Sequence, residues 1–172
     1  LVPILIWAIL AGAVSAISRG RLARIAVQFL ALSVILLPAT LLLTAAFSPS
    51  LGVERALATL LPALVACGLL GLLPGFAPWA VACAVTVGPY AIDMLAGSVL
   101  TPKAVVGPNP GLGARFYGIG NELESTLMIL TSAGVGAALT AWGGGLERRR
   151  ASAAFLVAGL VGTVIFAAGR FG

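Results

Sequence analysis

Long apolar runs, separated by short polar segments, divide this chain into similar lengths. A membrane-spanning helix needs about 20 mostly apolar residues, and runs near that length lie at residues 1–17, 25–47, 56–73, 77–99, 123–142 and 153–168. The pattern predicts an all-α fold, a polytopic transmembrane helix bundle of about six spans. The third and fourth runs meet in LLPGFAPW, where two prolines and a glycine must form a very tight turn. If these two runs form a re-entrant hairpin instead, the number of spans falls to five or four.

Composition supports a membrane protein. Of the 172 residues, 60% are hydrophobic and 9% are charged, and the mean hydropathy is +1.14. An ordinary soluble domain has roughly a quarter of its residues charged. We therefore expect residues 1–172 to form a single transmembrane helical domain. The chain begins at Leu1 without a methionine and stops directly after an apolar run, so we also expect it to be a fragment of a longer protein.

The basic residues predict an orientation. Most of them lie in two short loops, SRGRLAR after the first run and GGGLERRRAS before the last. Positively charged loops stay cytoplasmic, so we expect both loops inside the cell and the segment 101–121 on the extracytoplasmic side of the cell membrane. The net charge of +5 and the isoelectric point near 10.3 are explained by these loops, so we predict no nucleic-acid partner.

The chain has few titratable side chains that could bind a metal ion or act as a nucleophile. The chain has no histidine, and its two cysteines, Cys67 and Cys83, both lie inside apolar runs. We predict that both are buried small side chains and that the chain holds no metal site, because zinc sites are built from cysteine, histidine and carboxylate ligands. The residues identify no cofactor.

Asp93 is the acid placed deepest in an apolar run. At 1.5 Å per residue it would lie about 9 Å below the end of the fourth run, just after a kink at Pro89. A carboxylate inside a span costs about 2.5 to 3.5 kcal/mol near the centre, and such residues usually face the bundle interior and have a partner. We predict a polar cavity or an ion pair with Arg115 or Arg170. The alternative is an aspartate close enough to the interface to be wetted.

The stretch GARFYGIGNELE, residues 113–124, begins the fifth run. Asn121 and Glu124 have the spacing of a capping box, which would give both a structural role. Glu122 falls in the first helical turn, where the helix dipole favours an acid, on the same face as Ser125 and a series of small residues. Packing explains the small residues, but it does not explain the acid. We predict Asp93 and Glu122 as candidate catalytic residues.

The connecting segment 101–121 contains three prolines and five glycines, which favours an ordered, turn-rich loop. Arg115 has five donors suited to phosphate or carboxylate; alternatively it is an interfacial anchor, with Tyr117 part of an aromatic belt. Arg170 follows the last run on the same side. We predict Arg115, Tyr117, Asn121 and Arg170 as candidate substrate-binding residues.

The string GARFYGIGNE, residues 113–122, resembles a motif of uncharacterised polytopic bacterial membrane proteins. Some members carry an alkaline-phosphatase-like or phosphoglyceromutase-like domain outside the membrane. The resemblance includes Asp93, Gly97 and the final GRFG, and it covers about a third of the chain. This chain departs from the pattern where it has NELES in place of NEYMG. The resemblance implies a bacterial cell-envelope location and an attached extracytoplasmic domain as a partner.

Three functions remain open, so these residues do not establish an enzyme. The first is the membrane part of an envelope enzyme that acts on an anionic, lipid-linked substrate at the outer leaflet, with Asp93 or Glu122 as general base or metal ligand and Arg115 with Arg170 holding phosphate. The second is a transporter or flippase with Asp93 as a coupling site. The third is a non-catalytic membrane anchor for an extracytoplasmic domain. Membrane lipid is a partner in all three.

Overall fold

The computed structural model describes residues 2–18, 20–47, 50–104, 121–144 and 147–168. Within these ranges the regular structure is helical. A short 3-10 helix, Thr101–Lys103, follows the fourth α-helix. The α-helices are α1 Val2–Ile17, α2 Arg21–Phe47, α3 Leu51–Leu72, α4 Ala77–Leu95, α5 Asn121–Trp142 and α6 Arg148–Ala168.

The predicted helical membrane bundle is confirmed. Helices α2 to α6 are long and apolar enough to cross a membrane, and α1 is a shorter apolar helix of 16 residues. The tight turn at residues 73–76 separates two helices of 22 and 19 residues. Their length and composition are those of two full spans, which is the first of the two predicted alternatives.

The helix boundaries differ from the apolar runs in a systematic way. Helices α2, α3 and α6 begin four or five residues before their apolar runs, because backbone hydrogen bonding continues through the polar flanking residues. Helix α4 ends earlier than predicted, at Leu95 rather than at Val99. Asp93 therefore lies in the last turn of α4, and the predicted depth of about 9 Å below the helix end is wrong.

One apolar cluster shows how the helices alternate in direction. It joins residues near the ends of α2, α4 and α6 to residues near the start of α5, and its buried members are Leu42, Tyr90, Met94, Ala104, Leu123, Leu127 and Phe166. We call this end of the bundle the motif side. The starts of α2 and α6 lie at the opposite end, with Arg21, Arg24 and Arg148 to Arg150, and we call that end the arginine side.

Helix α2 is the central support of the N-terminal half. Helices α1, α3 and α4 all pack extensively on it, and Leu32 and Leu36 form a second buried cluster with Ala66 of α3 and Ala82 of α4. Helix α1 also reaches α3, where the Trp7 indole donates a hydrogen bond to the carbonyl of Thr59 at 3.1 Å. Helix α3 and helix α4 contact each other much less than either contacts α2, although only residues 73–76 separate them. Helices α3 and α4 therefore move apart with increasing distance from the turn at residues 73–76 that joins them.

Helix α4 packs closely on α5 through small residues. A Cβ atom added at Gly134 of α5 would lie 2.8 Å from the Cβ of Cys83 in α4, so only glycine fits at this contact without a shift. Cys83 is buried, as predicted. Cys67 is exposed on the surface of α3, so the prediction of a buried thiol is wrong there. An apolar run fixes that a residue lies at membrane depth, but it does not fix which way the residue faces.

Candidate functional site at the motif side

Helix α4 ends in a Schellman motif. The amide of Ser98 donates to the carbonyl of Asp93 at 2.7 Å, and the amide of Gly97 donates to the carbonyl of Met94 at 3.2 Å. These are the two bonds of the motif, and the residue that turns the chain is Gly97 with φ at +95°. A side chain at this position would be strained, because L residues rarely adopt such a φ. Gly97 therefore directs the chain back over the end of α4.

The returning chain is held by the carboxylate of Asp93. One oxygen accepts from the amide of Leu100 at 2.9 Å. The other accepts from the amide of Thr101 at 2.7 Å and from its hydroxyl at 2.6 Å. The carboxylate thus satisfies donors at the start of the 3-10 helix. These bonds explain how an acid is tolerated near a helix C-terminus, where the helix dipole disfavours negative charge.

The burial of Asp93 argues against the wetted interfacial acid, one of the two predicted alternatives, and leaves the polar cavity or ion pair a prediction. Its side chain is only 6% exposed, so it is not a wetted interfacial acid. Its bonds to Leu100 and Thr101 are local, and the predicted cationic partners, Arg115 and Arg170, lie outside the described residues. The geometry gives Asp93 a structural role at this turn, and its chemical role remains a prediction.

Thr101 is not one of the predicted candidate residues, although the sequence carries a signal for it. It is followed by Pro102, and proline is favoured in the first turn of a helix because its missing N–H would be unpaired there. A threonine before such a proline marks the start of a new helical turn. What the sequence does not show is that the partner lies eight residues earlier, because that depends on how Gly97 turns the chain.

Helix α4 also bonds to α2 inside the bundle. Pro38 lies inside α2, where it lacks the N–H that would bond to the carbonyl of Val34 and its ring crowds that turn. The hydroxyl of Thr86 donates to the carbonyl of Ile35 at 2.8 Å, and that of Tyr90 donates to the carbonyl of Pro38 at 3.0 Å. Both side chains are fully buried. The two bonds therefore fasten α4 to α2 at the proline.

A cleft of about 620 Å³ opens beside this contact, in the half of the bundle nearer the motif side. Helix α2 forms its floor from Leu36 to Ala46, and α3 and α4 form its walls. The polar residues among its lining are Thr40 and Asp93, and the remainder are apolar. Several lining side chains are also exposed at the bundle surface, including Leu43 and Ile92. The cleft is consequently an open, apolar groove with its polar end at the α4 turn.

The start of α5 carries the second candidate acid. Glu122 and Glu124 lie in the first turn, as predicted. Glu122 is exposed, and so are Ser125 and Ser132 on the same face. Asn121 is the first residue of α5, but its side chain is outside the described part of the structure. The predicted capping box consequently stays a prediction.

The remaining candidates are Arg115, Tyr117 and Arg170, which also lie outside the described residues. The structure brings together the neighbours of the candidates, since Met94, Leu123 and Phe166 belong to one cluster. The chain next to Asp93, the chain next to Glu122 and the end of α6 thus meet at the motif side. Among the described residues, no group of three cysteine or carboxylate side chains is placed to hold a metal ion.

Comparisons with protein-family models, with curated proteins and with solved structures found no match for this chain. The functional argument therefore depends on the site itself.

Proposed function

We propose that this chain is the membrane part of a bacterial envelope enzyme that acts on an anionic, lipid-linked substrate at the extracytoplasmic face. The observation that carries the proposal is the apolar cluster at the motif side, which joins the end of α4, the start of α5 and the end of α6. A reaction at this end would use Glu122 as general base, because Glu122 is exposed to a substrate, whereas the carboxylate of Asp93 is already bonded to Leu100 and Thr101. Asp93 would position the chain that enters segment 101–121.

In this proposal, Arg115 and Arg170 hold the anionic group of the substrate. A guanidinium matches phosphate or carboxylate with two parallel hydrogen bonds, whereas a lysine ammonium is a single point charge. Asn121 and Tyr117 add hydrogen-bonding groups. An attached extracytoplasmic domain would then receive or supply the polar part of the substrate.

The test is complementation of a strain from which the gene has been deleted. We expect Glu122→Gln and Arg115→Lys each to abolish complementation while the protein still accumulates. For Glu122→Gln, which changes an exposed residue, the unfolding free energy in detergent should change by less than about 0.5 kcal/mol. Matched controls are Glu54→Gln and Arg55→Lys, which begin α3 on the same side but lie outside the cluster. Full complementation by both motif variants would leave the anchor function as the better explanation.

A flippase is the second candidate, and one observation favours it. Helices α2, α3 and α4 each run continuously through an internal proline, at Pro38, Pro62 and Pro89, and proline within the apolar segments around a cavity is a sequence pointer to a transporter binding site. Purified protein in liposomes would be tested for movement of a fluorescent phospholipid between leaflets. Lipid movement in liposomes that contain the wild-type chain, and none in protein-free liposomes, would favour the flippase over the enzyme.

A further inference from the structure

We infer that the cleft between α2, α3 and α4 is a binding site for one acyl chain of a phospholipid. The inference goes beyond the proposed function and does not need Arg115, Glu122 or any reaction. It follows from the length of the cleft, the side on which it opens and the lysine that follows its polar end.

The length of the cleft matches one leaflet. Its floor runs from Leu36 to Ala46 on α2 and its α4 wall from Val85 to Ala96, which is about 15 Å at 1.5 Å per residue. The hydrocarbon core of a bilayer is about 30 Å thick. The cleft therefore runs from the bundle centre to the interface, which suits an ordinary acyl chain and is too short for a long polyisoprenoid.

The opening of the cleft faces the membrane. Since α3 and α4 pack on α2 more than on each other, they leave a gap above α2 that widens away from their turn. Leu43, Ile92 and Val99 line the cleft and remain exposed at this gap. A lipid chain can enter sideways, and water is a poor occupant because nearly all of the lining is apolar.

A cation follows the polar end of the cleft along the chain, although it is not itself among the lining residues. Val99 and Leu100 line this end, and Lys103 follows them in the 3-10 helix with its side chain exposed. Asp93 also lies at this end, but its carboxylate is engaged by Leu100 and Thr101. A lipid whose chain occupies the cleft would have its phosphate at this end, and Lys103 would supply the positive charge that offsets Asp93 there.

The test uses phosphatidylglycerol that carries a diazirine near the middle of one acyl chain. The purified full chain is loaded with this lipid, diluted into lipid-free detergent micelles and irradiated, and the adducts are mapped by mass spectrometry. Annular lipid is lost on dilution, so we expect adducts on α2, α3 and α4 around the cleft. The exposed face of α6, at Val157 and Val164, serves as an internal reference and should be labelled little.

Leu43→Trp fills the cleft, and we expect about a tenfold fall in labelling, equivalent to ~1.4 kcal/mol of binding free energy. The matched control is Leu57→Trp, because Leu57 is 40% exposed against 49% for Leu43 and does not line the cleft. Equal labelling of the cleft and of α6 in the wild-type chain overturns the inference, whether or not the variants fold. An equal fall in labelling in both tryptophan variants also overturns the inference.

The lysine at the end of the cleft is tested separately. We expect Lys103→Gln to lower the amount of phosphatidylglycerol retained after dilution about twofold. An unchanged amount overturns the placement of the phosphate.

Discussion

Helices α4 and α5 have almost the same polarity, but they differ in burial and in the partners of their polar side chains. The most apolar stretches of α4 and α5 have mean hydropathies of 1.2 and 1.3, but 44% of the α4 stretch is buried inside the protein against 17% of the α5 stretch. The polar side chains of α4 bond to other parts of the chain, at Ile35, Pro38 and Thr101. Several hydroxyls of α5 bond to the carbonyl four residues earlier in the same helix, as Thr126, Ser132 and Thr140 do.

The comparison shows that polarity in a span has two distinct physical consequences. A hydroxyl bonded to its own helix is satisfied wherever that helix goes, so it costs little at a lipid-facing position and specifies no neighbour. A hydroxyl or carboxylate bonded to a different segment is satisfied in one arrangement only. The polar groups of α4 therefore define the fold at the motif side, whereas those of α5 leave its exposed face free to meet lipid or another helix.

The largest effect is expected at Asp93. In Asp93→Ala, the amides of Leu100 and Thr101 and the hydroxyl of Thr101 all lose their acceptor at a buried site. Because hydrogen bonds to a charged group each contribute about 1.5 to 3 kcal/mol, we expect a loss of about 3 kcal/mol or more in unfolding free energy. Asp93→Asn keeps one acceptor oxygen, so its unfolding free energy should lie between those of the wild type and Asp93→Ala. Thermal unfolding in detergent measures the difference.

Glu122→Ala is the matched control for that prediction, because Glu122 is an exposed acid at the same end of the bundle. We expect its unfolding free energy to stay within about 0.5 kcal/mol of wild type. If Asp93→Ala were no more destabilising than Glu122→Ala, the network at the end of α4 would not stabilise the fold.

The next effect tests the contact between the two helices. Gly134→Val places a branched side chain against Cys83, because a Cβ at position 134 would lie 2.8 Å from the Cβ of that cysteine. Overpacking of this kind typically costs about 1 to 3 kcal/mol. Gly159→Val in α6 is the control, since a Cβ there has no neighbour within 4 Å. Unfolding curves should separate the two variants, and equal stability would mean that α4 and α5 can move apart at little cost.

A smaller loss is expected for each hydroxyl that fastens α4 to α2. Thr86→Val and Tyr90→Phe each remove one hydrogen bond to a carbonyl near Pro38. Hydrogen bonds between membrane helices are worth about 0.6 kcal/mol on average and up to about 1.7, and the buried sites of both residues favour the upper part of that range. A double variant with a loss equal to the sum of the single losses would show that the two bonds act independently.

The sequence predicted the helices better than it predicted their ends and partners. Apolar runs determine which segments enter the membrane, so the six α-helices of the described residues followed from them, although the turn at residues 73–76 had left five or four spans as the alternative. The end of α4 did not, because Val99 and Leu100 are apolar and the helix stops at a glycine whose role depends on backbone geometry. The burial of Asp93 followed from the cost of a charge in a span, but its partners follow from the turn at Gly97. The cleft depends on how far α3 and α4 diverge, which no local pattern encodes.

The smallest effect is expected on the exposed face of α5. Thr126→Val and Ser132→Ala remove hydroxyls that bond only within α5 in the described structure, so no donor or acceptor on another helix is left unpaired. We expect each variant to unfold within about 0.5 kcal/mol of wild type, well below the loss in Thr86→Val. The unfolding measurement is made at two protein concentrations in detergent. A clear loss of stability, particularly one that depends on concentration, would contradict the comparison and would mean that this face of α5 packs against another transmembrane segment.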